Sequence, residues 1–132
     1  MKVLAIETSC DETAAAVVEG EPGSSGIRVR SNVVASQAHL HARTGGVVPE
    51  VAARAHVEAV MFVIDDALKS VGGRGKANEA LDAIAVTTTP GLRPALVIGE
   101  AVARAVAVAW KKRLIPVNHL AGHLAAAWLP TK

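Results

Sequence analysis

Aromatic side chains are scarce in this 132-residue sequence, which has two tryptophans, one phenylalanine and no tyrosine although 51% of its residues are hydrophobic. Its core must therefore be built from Ala, Val, Leu and Ile, which suit close packing of helices on a sheet. The net charge of +2 is small. Because there is also no basic run interleaved with aromatic residues, the composition permits contact with nucleic acid without arguing for it.

Cysteine occurs once, at Cys10, so an internal disulfide is excluded and a reducing compartment is favoured. No histidine adjoins Cys10 in the sequence to activate it, which favours a packed thiol over a nucleophile. The most apolar stretch, residues 95–110, is interrupted by Glu100 and Arg104 and is shorter than the roughly 20 residues of a membrane span. We therefore expect a soluble, cytoplasmic protein that makes no contact with membranes.

Short apolar runs bounded by polar turns predict five strands, and the chain is long enough for one domain. The first three are separated by short turns, including a loop at residues 20–26, and should form an antiparallel meander. The predicted strands are residues 3–8, 13–19, 27–36, 83–87 and 114–117.

A long helix is predicted over residues 49–70, where Pro49 suits the first turn and Glu50 suits the positive end of the helix dipole. Gly72, Gly73 and Gly75 should end this helix. Residues 37–49 are predicted to form a loop, and residues 78–82 a connection. Its apolar residues recur with helical spacing and should face the core. The predicted stripe consists of Val57, Val60, Met61, Ile64, Leu68 and Val71, with a smaller line at Ala52, Ala55, Ala59 and Phe62.

A second long helix is predicted over residues 94–112, and its charges Glu100, Arg104 and Lys111 form one narrow stripe. The rest of its surface is too apolar to face water, so the helix is either sandwiched or meets a partner. A short helix over residues 121–129 completes the order β-β-β-α-β-α-β-α. This order is typical of a ribonuclease-H-like half-domain of the actin-like ATPase type, with a mixed five-stranded sheet.

Two histidines lie four residues apart where the last strand passes into the last helix. Residues 118–123 read Asn-His-Leu-Ala-Gly-His. A helix beginning near His119 would place His119 and His123 on one face, one turn apart, where both imidazoles can share a metal ion. The alternative is two ordinary polar residues on a short helix, and a catalytic site would in any case need a third ligand.

Four motifs carry a resemblance to a known family. They are Ile-Glu-Thr-Ser-Cys-Asp-Glu-Thr at residues 6–13; Ser36-Gln37, His41, Gly-Gly-Val-Val-Pro-Glu at residues 45–50, Ala53-Arg54 and His56; Pro90-Gly91-Leu92 with Ala95-Leu96 and Gly99; and the histidine motif. In order and spacing they resemble the amino-terminal part of the bacterial tRNA threonylcarbamoyladenosine transferases (TsaD family), once called O-sialoglycoprotein endopeptidases. Thr89 stands where the family usually has glycine, and Arg93 follows the Pro-Gly-Leu triplet.

The resemblance implies transfer of a threonylcarbamoyl group from threonylcarbamoyl-AMP to N6 of the adenosine beside the anticodon of tRNA. It implies one divalent metal, iron or zinc, held by His119 and His123 and by an aspartate of a second lobe. Asp11 and Glu12 match the family's acidic pair and become the candidate catalytic residues; the alternative is a solvated turn. The turn containing Thr88, Pro90 and Gly91 leads into a helix and is either a phosphate-facing site or a plain strand-to-helix turn.

The same resemblance implies as partners tRNA, a paralogous TsaB-type subunit and a TsaE-type ATPase, with a homo- or heterodimer formed through the two long helices. Residues 1–132 would be a single amino-terminal lobe without the family's second lobe, and we expect the isolated chain to be inactive. His41 and His56 are interpreted as structural or tRNA-facing rather than as ligands.

Three rival functions remain. A non-catalytic pairing subunit fits the apolar helices, although the histidine pair argues against it. An actin-fold ATPase or kinase lobe would share the first turn but has no need of the two histidines. A metalloprotease requires His-Glu-x-x-His with the glutamate as base, and position 120 is leucine.

Overall fold

A computed structural model describes residues 1–21, 23 and 26–129, so residues 22, 24 and 25 of the predicted 20–26 loop lie outside the described residues. All five predicted strands are present. The strands are β1 (Lys2–Glu7), β2 (Glu12–Glu19), β3 (Arg28–Ser36), β4 (Ala83–Thr89) and β5 (Arg113–Asn118). The helices are α1 (Ala38–His41), α2 (Pro49–Leu68), α3 (Arg74–Ala80), α4 (Arg93–Ala109) and α5 (His119–Ala126), with a 3₁₀ turn at Lys69–Val71.

The strands form one mixed sheet in the order β3-β2-β1-β4-β5. The first three pair antiparallel as the predicted meander, and β1 and β5 each run parallel to β4. The mixed five-stranded α/β prediction is therefore confirmed. Because β1, β4 and β5 are parallel, their carboxyl ends meet at one edge of the sheet, which is where ligands bind in open α/β sheets.

The main core lies between the sheet and the helices α2 and α4. Leu4 and Ile6 of β1 project into it with 0% and 1% of their surfaces exposed, and Ile64 and Leu68 of α2 pack there with Ala103 of α4. This core is aliphatic, as the composition predicted. No helix in the part of the chain that the structure describes is both long and apolar enough to cross a membrane.

The predicted core face of helix α2 is partly right: Val60, Ile64 and Leu68 of the stripe and Ala52 of the second line are buried, but the buried side is rotated away from their other members. Val57 and Met61, assigned to the core stripe, are 58% and 38% exposed, and Phe62 of the second line is 78% exposed. The buried face also passes through His56 and Val63. The predicted stripe counted only apolar residues, whereas His56 is fully buried because the interior offers its ring hydrogen-bond partners.

Two segments predicted to be irregular contain helices. The 37–49 loop includes α1, and α3 overlaps the predicted 78–82 connection. The glycines explain the second error: Gly72, at φ 91°, ends the preceding 3₁₀ turn as predicted, but Gly73 then precedes a new helix whose Ala77 is buried. Gly75 lies inside that helix.

Helix α5 begins two residues earlier than predicted and ends at Ala126 rather than at residue 129. Its start is set by Asn118, whose Oδ1 accepts hydrogen bonds from the backbone N–H groups of Leu120 at 2.9 Å and Ala121 at 3.1 Å. A side-chain cap of this kind satisfies donors that the first helical turn leaves unpaired. As a result His119 is the first helical residue.

Candidate active site

The sheet edge at which β1, β4 and β5 end carries a cleft of about 250 Å³. It brings the predicted acidic pair and the predicted histidine pair into one lining, although more than 100 residues separate them in sequence. The lining residues are Glu7, Ser9, Cys10, Asp11, Glu12, His119 and His123.

The two imidazoles of α5 face each other across this cleft. Their Nε2 atoms are 2.9 Å apart, and the rings stand edge to face at 89°. Metal–nitrogen bonds of about 2.1 Å from both atoms can meet at one ion, so the pair fits a divalent cation as two of its ligands. Among the residues that the structure describes, no group of three or more His, Cys, Asp and Glu side chains is arranged to hold a metal.

Glu7, the last residue of β1, lies behind His119. Its Oε2 accepts a hydrogen bond from Thr87 Oγ1 at 2.5 Å and lies 3.2 Å from His119 Nδ1, and its Oε1 accepts from the Ser9 backbone N–H. Burial acts to raise the pKa of the Glu7 carboxyl, but the hydrogen bonds from Ser9, Thr87 and His119 outweigh burial and hold that pKa below its usual value. Glu7 is therefore a charged acceptor beside the histidine pair.

The loop carrying Asp11 and Glu12 is fixed through its backbone. Three successive carbonyl groups each accept a hydrogen bond from a different part of the fold. The bonds are Leu92 N–H to Ser9 O at 2.8 Å, His56 Nε2–H to Cys10 O at 3.1 Å and Gln37 N–H to Asp11 O at 3.0 Å. The Asp11 side chain is half-buried and Glu12 is exposed, so a firmly held loop presents two carboxylates to the cleft.

His56 is the buried support of this loop. Since its Nε2–H donates to a carbonyl, its Nδ1 is the acceptor for the Thr13 hydroxyl at 2.8 Å, with the Gln37 amide nitrogen at 3.3 Å. Burial lowers the pKa of His56, which favours the neutral ring. His41 is also buried, 3.0 Å from Gln37 Oε1. Of the two interpretations of these histidines, burial supports the structural one.

Cys10 is exposed, so the prediction of a packed thiol is wrong. The backbone of Cys10 turns inward to His56, which leaves its side chain at the surface of the cleft. Partial burial raises the pKa of the thiol, and its hydrogen bond to Asp11 and the charges of Asp11 and Glu7 raise it further. A thiol with a raised pKa is a poor nucleophile near neutral pH.

The turn predicted to face phosphate packs beside the same cleft. Thr88 is half-buried, while Pro90 and Gly91 are exposed. A Cβ added at Gly91 would lie 2.7 Å from the Ser9 carbonyl oxygen, so close packing on the first loop requires glycine here. That contact is a structural reason for the glycine, and a phosphate-facing role for Thr88, Pro90 and Gly91 stays a prediction.

Glu7 and His56 both belong to the sequence motifs, but the sequence predicted no contact in the site for either residue. A signal existed for Glu7, a carboxylate directly after the buried Ile6 of a central strand. A carboxylate at the carboxyl end of a central strand lies where ligands bind in open α/β sheets. No local signal identifies the partners of His56, because they lie up to 46 residues away in the chain.

Residues 28–132 match the family model described as "TsaD: tRNA N6-adenosine threonylcarbamoyltransferase". Curated proteins with the name tRNA N6-adenosine threonylcarbamoyltransferase are 54% identical in Anaeromyxobacter sp. (strain Fw109-5) and 55% identical in Magnetococcus marinus, over 98% of this chain in both cases. The chain spans 36% of the length of each of these relatives.

A solved structure of YeaZ from Pseudomonas aeruginosa aligns with a TM-score of 0.62 at 22% sequence identity. The alignment covers 89% of this chain and 43% of that one. At this identity the similarity concerns the fold alone.

Proposed function

Because this chain belongs to the tRNA N6-adenosine threonylcarbamoyltransferase family, we propose that it forms the amino-terminal, metal-binding lobe of such an enzyme. The reaction is transfer of the threonylcarbamoyl group of threonylcarbamoyl-AMP to N6 of the adenosine beside the anticodon of tRNA. The observation that carries the proposal is the pair of imidazole Nε2 atoms, 2.9 Å apart, in the cleft that also contains Asp11 and Glu12.

His119 and His123 would hold the divalent cation, iron or zinc, with Nε2 atoms that lie 2.9 Å apart. When bound, the cation supplies Lewis-acid polarisation of the carbamoyl or phosphate oxygens of the mixed anhydride. Since no third His, Cys, Asp or Glu among the described residues is arranged to join them, any further protein ligand would have to come from elsewhere. The contacts of His119 with Glu7 and Ser9 place the imidazoles beside the acidic loop, and positioning of this kind lowers the entropic cost of bringing the two substrates together.

Asp11 and Glu12 act on the attacking amine. The N6 nitrogen forms a bond to the carbamoyl carbon, the bond from that carbon to the phosphate oxygen breaks, and AMP leaves with the electron pair. The proton lost by N6 passes to one of the two carboxylates, which acts as general base. For the 88–91 turn, which packs against the first loop at Gly91 and leads into α4, we propose that its backbone orients the AMP phosphate.

The exposed apolar faces of α2 and α4 provide the partner surface. A groove of about 330 Å³ runs between the two helices and is lined by Met61 of α2 and by Trp110 near the end of α4. Outside its lining, Phe62 of α2 is 78% exposed and Val108 of α4 is 79% exposed. Apolar patches of this kind mark protein-binding sites. We assign this face to a second copy or to a TsaB-type subunit, with tRNA and a TsaE-type ATPase as further partners in the cytoplasm.

A chimaera tests the function. Residues 1–132 replace the matching segment of the Magnetococcus marinus relative, and transfer of radiolabelled threonylcarbamoyl from threonylcarbamoyl-AMP to tRNA is measured. The chimaera should be active, and His119→Ala within it should lose at least 100-fold. The matched control is His39→Ala, which removes an exposed imidazole of α1 and should keep full activity.

The isolated chain is assayed in parallel and should show no turnover. Robust turnover by the isolated chain would contradict the assignment of a single incomplete lobe. Full activity of the His119→Ala chimaera would contradict the metal-binding role of the histidine pair.

A further inference from the structure

The His119 ring is held on its two sides by different groups. Nε2 points towards His123, whereas Nδ1 lies 3.2 Å from Glu7 Oε2 and 3.2 Å from Ser9 Oγ. Glu7 therefore lies on the opposite side of the ring from the nitrogen that faces the cleft pair. A carboxylate in that position cannot share an ion with His119 Nε2, but it can control the ring.

With Glu7 Oε2 as the acceptor at Nδ1, a single ring proton on His119 lies on Nδ1. Nε2 then carries a free lone pair directed towards His123. Only this tautomer of His119 can bind a cation together with His123 through facing Nε2 atoms.

The Glu7 carboxylate is itself fixed before any ligand arrives. Thr87 Oγ1 donates to its Oε2 from the neighbouring strand, and the Ser9 N–H donates to its Oε1. By contrast, no residue of α5 is fully buried, so the helix that carries both histidines is weakly held by packing. The contact between Glu7 and His119 is, among the described residues, a polar link between that helix and the sheet.

We propose that Glu7 is a positioning residue, which fixes the tautomer and ring orientation of His119 for a divalent cation. The inference rests on the proposed metal-binding role of the histidine pair. Outer carboxylates that accept from a ligating histidine orient the ring and raise its basicity, and their loss costs roughly 10- to 100-fold in metal affinity.

The test is titration of the purified chain with zinc chloride by calorimetry. Glu7→Gln keeps the side-chain shape and removes the charge, and it should weaken zinc binding by about 10- to 100-fold. Glu7→Asp keeps the charge but moves the carboxylate oxygen away from His119, so it should also weaken zinc binding. This variant provides the test if Glu7→Gln folds poorly. Glu50→Gln, the same change in an exposed ion pair with Arg54, should stay within twofold.

Nitrogen-15 NMR of the metal-free chain near pH 8 gives a second readout. His119 should carry its proton on Nδ1 in the wild type and should shift towards the Nε2–H form in both Glu7 variants. Wild-type zinc affinity together with an unchanged His119 tautomer in the variants would overturn the role of Glu7 and leave the histidine site standing. If His119→Ala binds zinc as tightly as the wild type, the metal site itself is refuted, and the role of Glu7 with it.

Discussion

Replacing His56 by leucine tests the support of the acidic loop most directly. The imidazole is fully buried and joins three elements, because it contacts the Cys10 carbonyl, the Thr13 hydroxyl and the Gln37 amide. Leucine has a similar volume and fills the site without the polar contacts. His56→Leu therefore isolates the hydrogen bonds from the packing.

His56→Leu removes the hydrogen bonds that His56 makes to Thr13 and to the Cys10 carbonyl. Thr13 is 0% exposed and its hydroxyl is left without His56 Nδ1, while the Cys10 carbonyl loses its donor. The Gln37 amide still has the Ala52 carbonyl at 3.3 Å. Each buried polar group left unpaired costs roughly 1–3 kcal/mol. After the gain from burying an apolar side chain, we expect a loss of about 2–4 kcal/mol in the free energy of unfolding.

The pH dependence of the free energy of unfolding gives a second test of the buried His56. Burial lowers the pKa of His56 in the folded protein, whereas the unfolded chain titrates near the ordinary value of about 6.5. Below that pH the unfolded state takes up a proton that the folded state refuses, so stability falls as the pH drops through and below about 6.5 and is complete above it. His56→Leu should remove this part of the acid sensitivity.

The assay is urea unfolding followed by circular dichroism between pH 5 and 8. The control is His39→Leu, the same substitution at an exposed position of α1, which should change stability by less than about 0.5 kcal/mol. A loss below about 1 kcal/mol for His56→Leu at pH 8, or an unchanged slope between pH 7 and 5, would refute the role given to this ring.

Two further changes test the packing and the partner surface. Gly99→Ala should destabilise the protein by about 1–3 kcal/mol in thermal melts, because the added Cβ would lie 2.4 Å from Thr8 Oγ1. The control is Gly75→Ala, whose added Cβ would have no atom within 4 Å and which should be neutral or stabilising. Equal effects of the two substitutions would contradict the close approach of α4 to the end of β1. Light scattering at high concentration should give a mass above that of the 13.6 kDa monomer. Phe62→Glu on α2 should abolish association, whereas the control Val34→Glu on β3 should not. A strictly monomeric wild type would count against a partner surface on α2 and α4.

The sheet was predictable because its strands are apolar runs whose ends carry polar turns. Residues 83–87 of β4 are all buried, so that strand reads as continuous hydrophobic sequence, and the antiparallel meander follows from short connections. The proximity of His119 and His123 was also predictable, because it depends only on their local spacing in a helix. Four residues make one turn of a helix, which places the two rings side by side.

The rest of the site depends on contacts between residues far apart in the chain. Glu7 and His119 are 112 positions apart, and no local pattern indicates that these two side chains meet. The buried face of α2 was misjudged for a related reason, since a histidine counts as polar in the sequence and is internal only because Thr13 and Cys10 satisfy it. Cys10 was misplaced because the direction of its side chain follows from the bond of its carbonyl to His56.

The central position of β1 explains how one short loop can serve both candidate groups. On the side of β4, Glu7 and Ser9 contact His119, and the Ser9 carbonyl is held by the Leu92 N–H at the start of α4. On the side of β2, the Cys10 carbonyl is held by His56. The histidine pair is therefore anchored through the Glu7 and Ser9 side chains, whereas the acidic loop is also held from the side of β2 by His56. Loss of His56 should thus disturb the carboxylates while leaving the imidazoles in place.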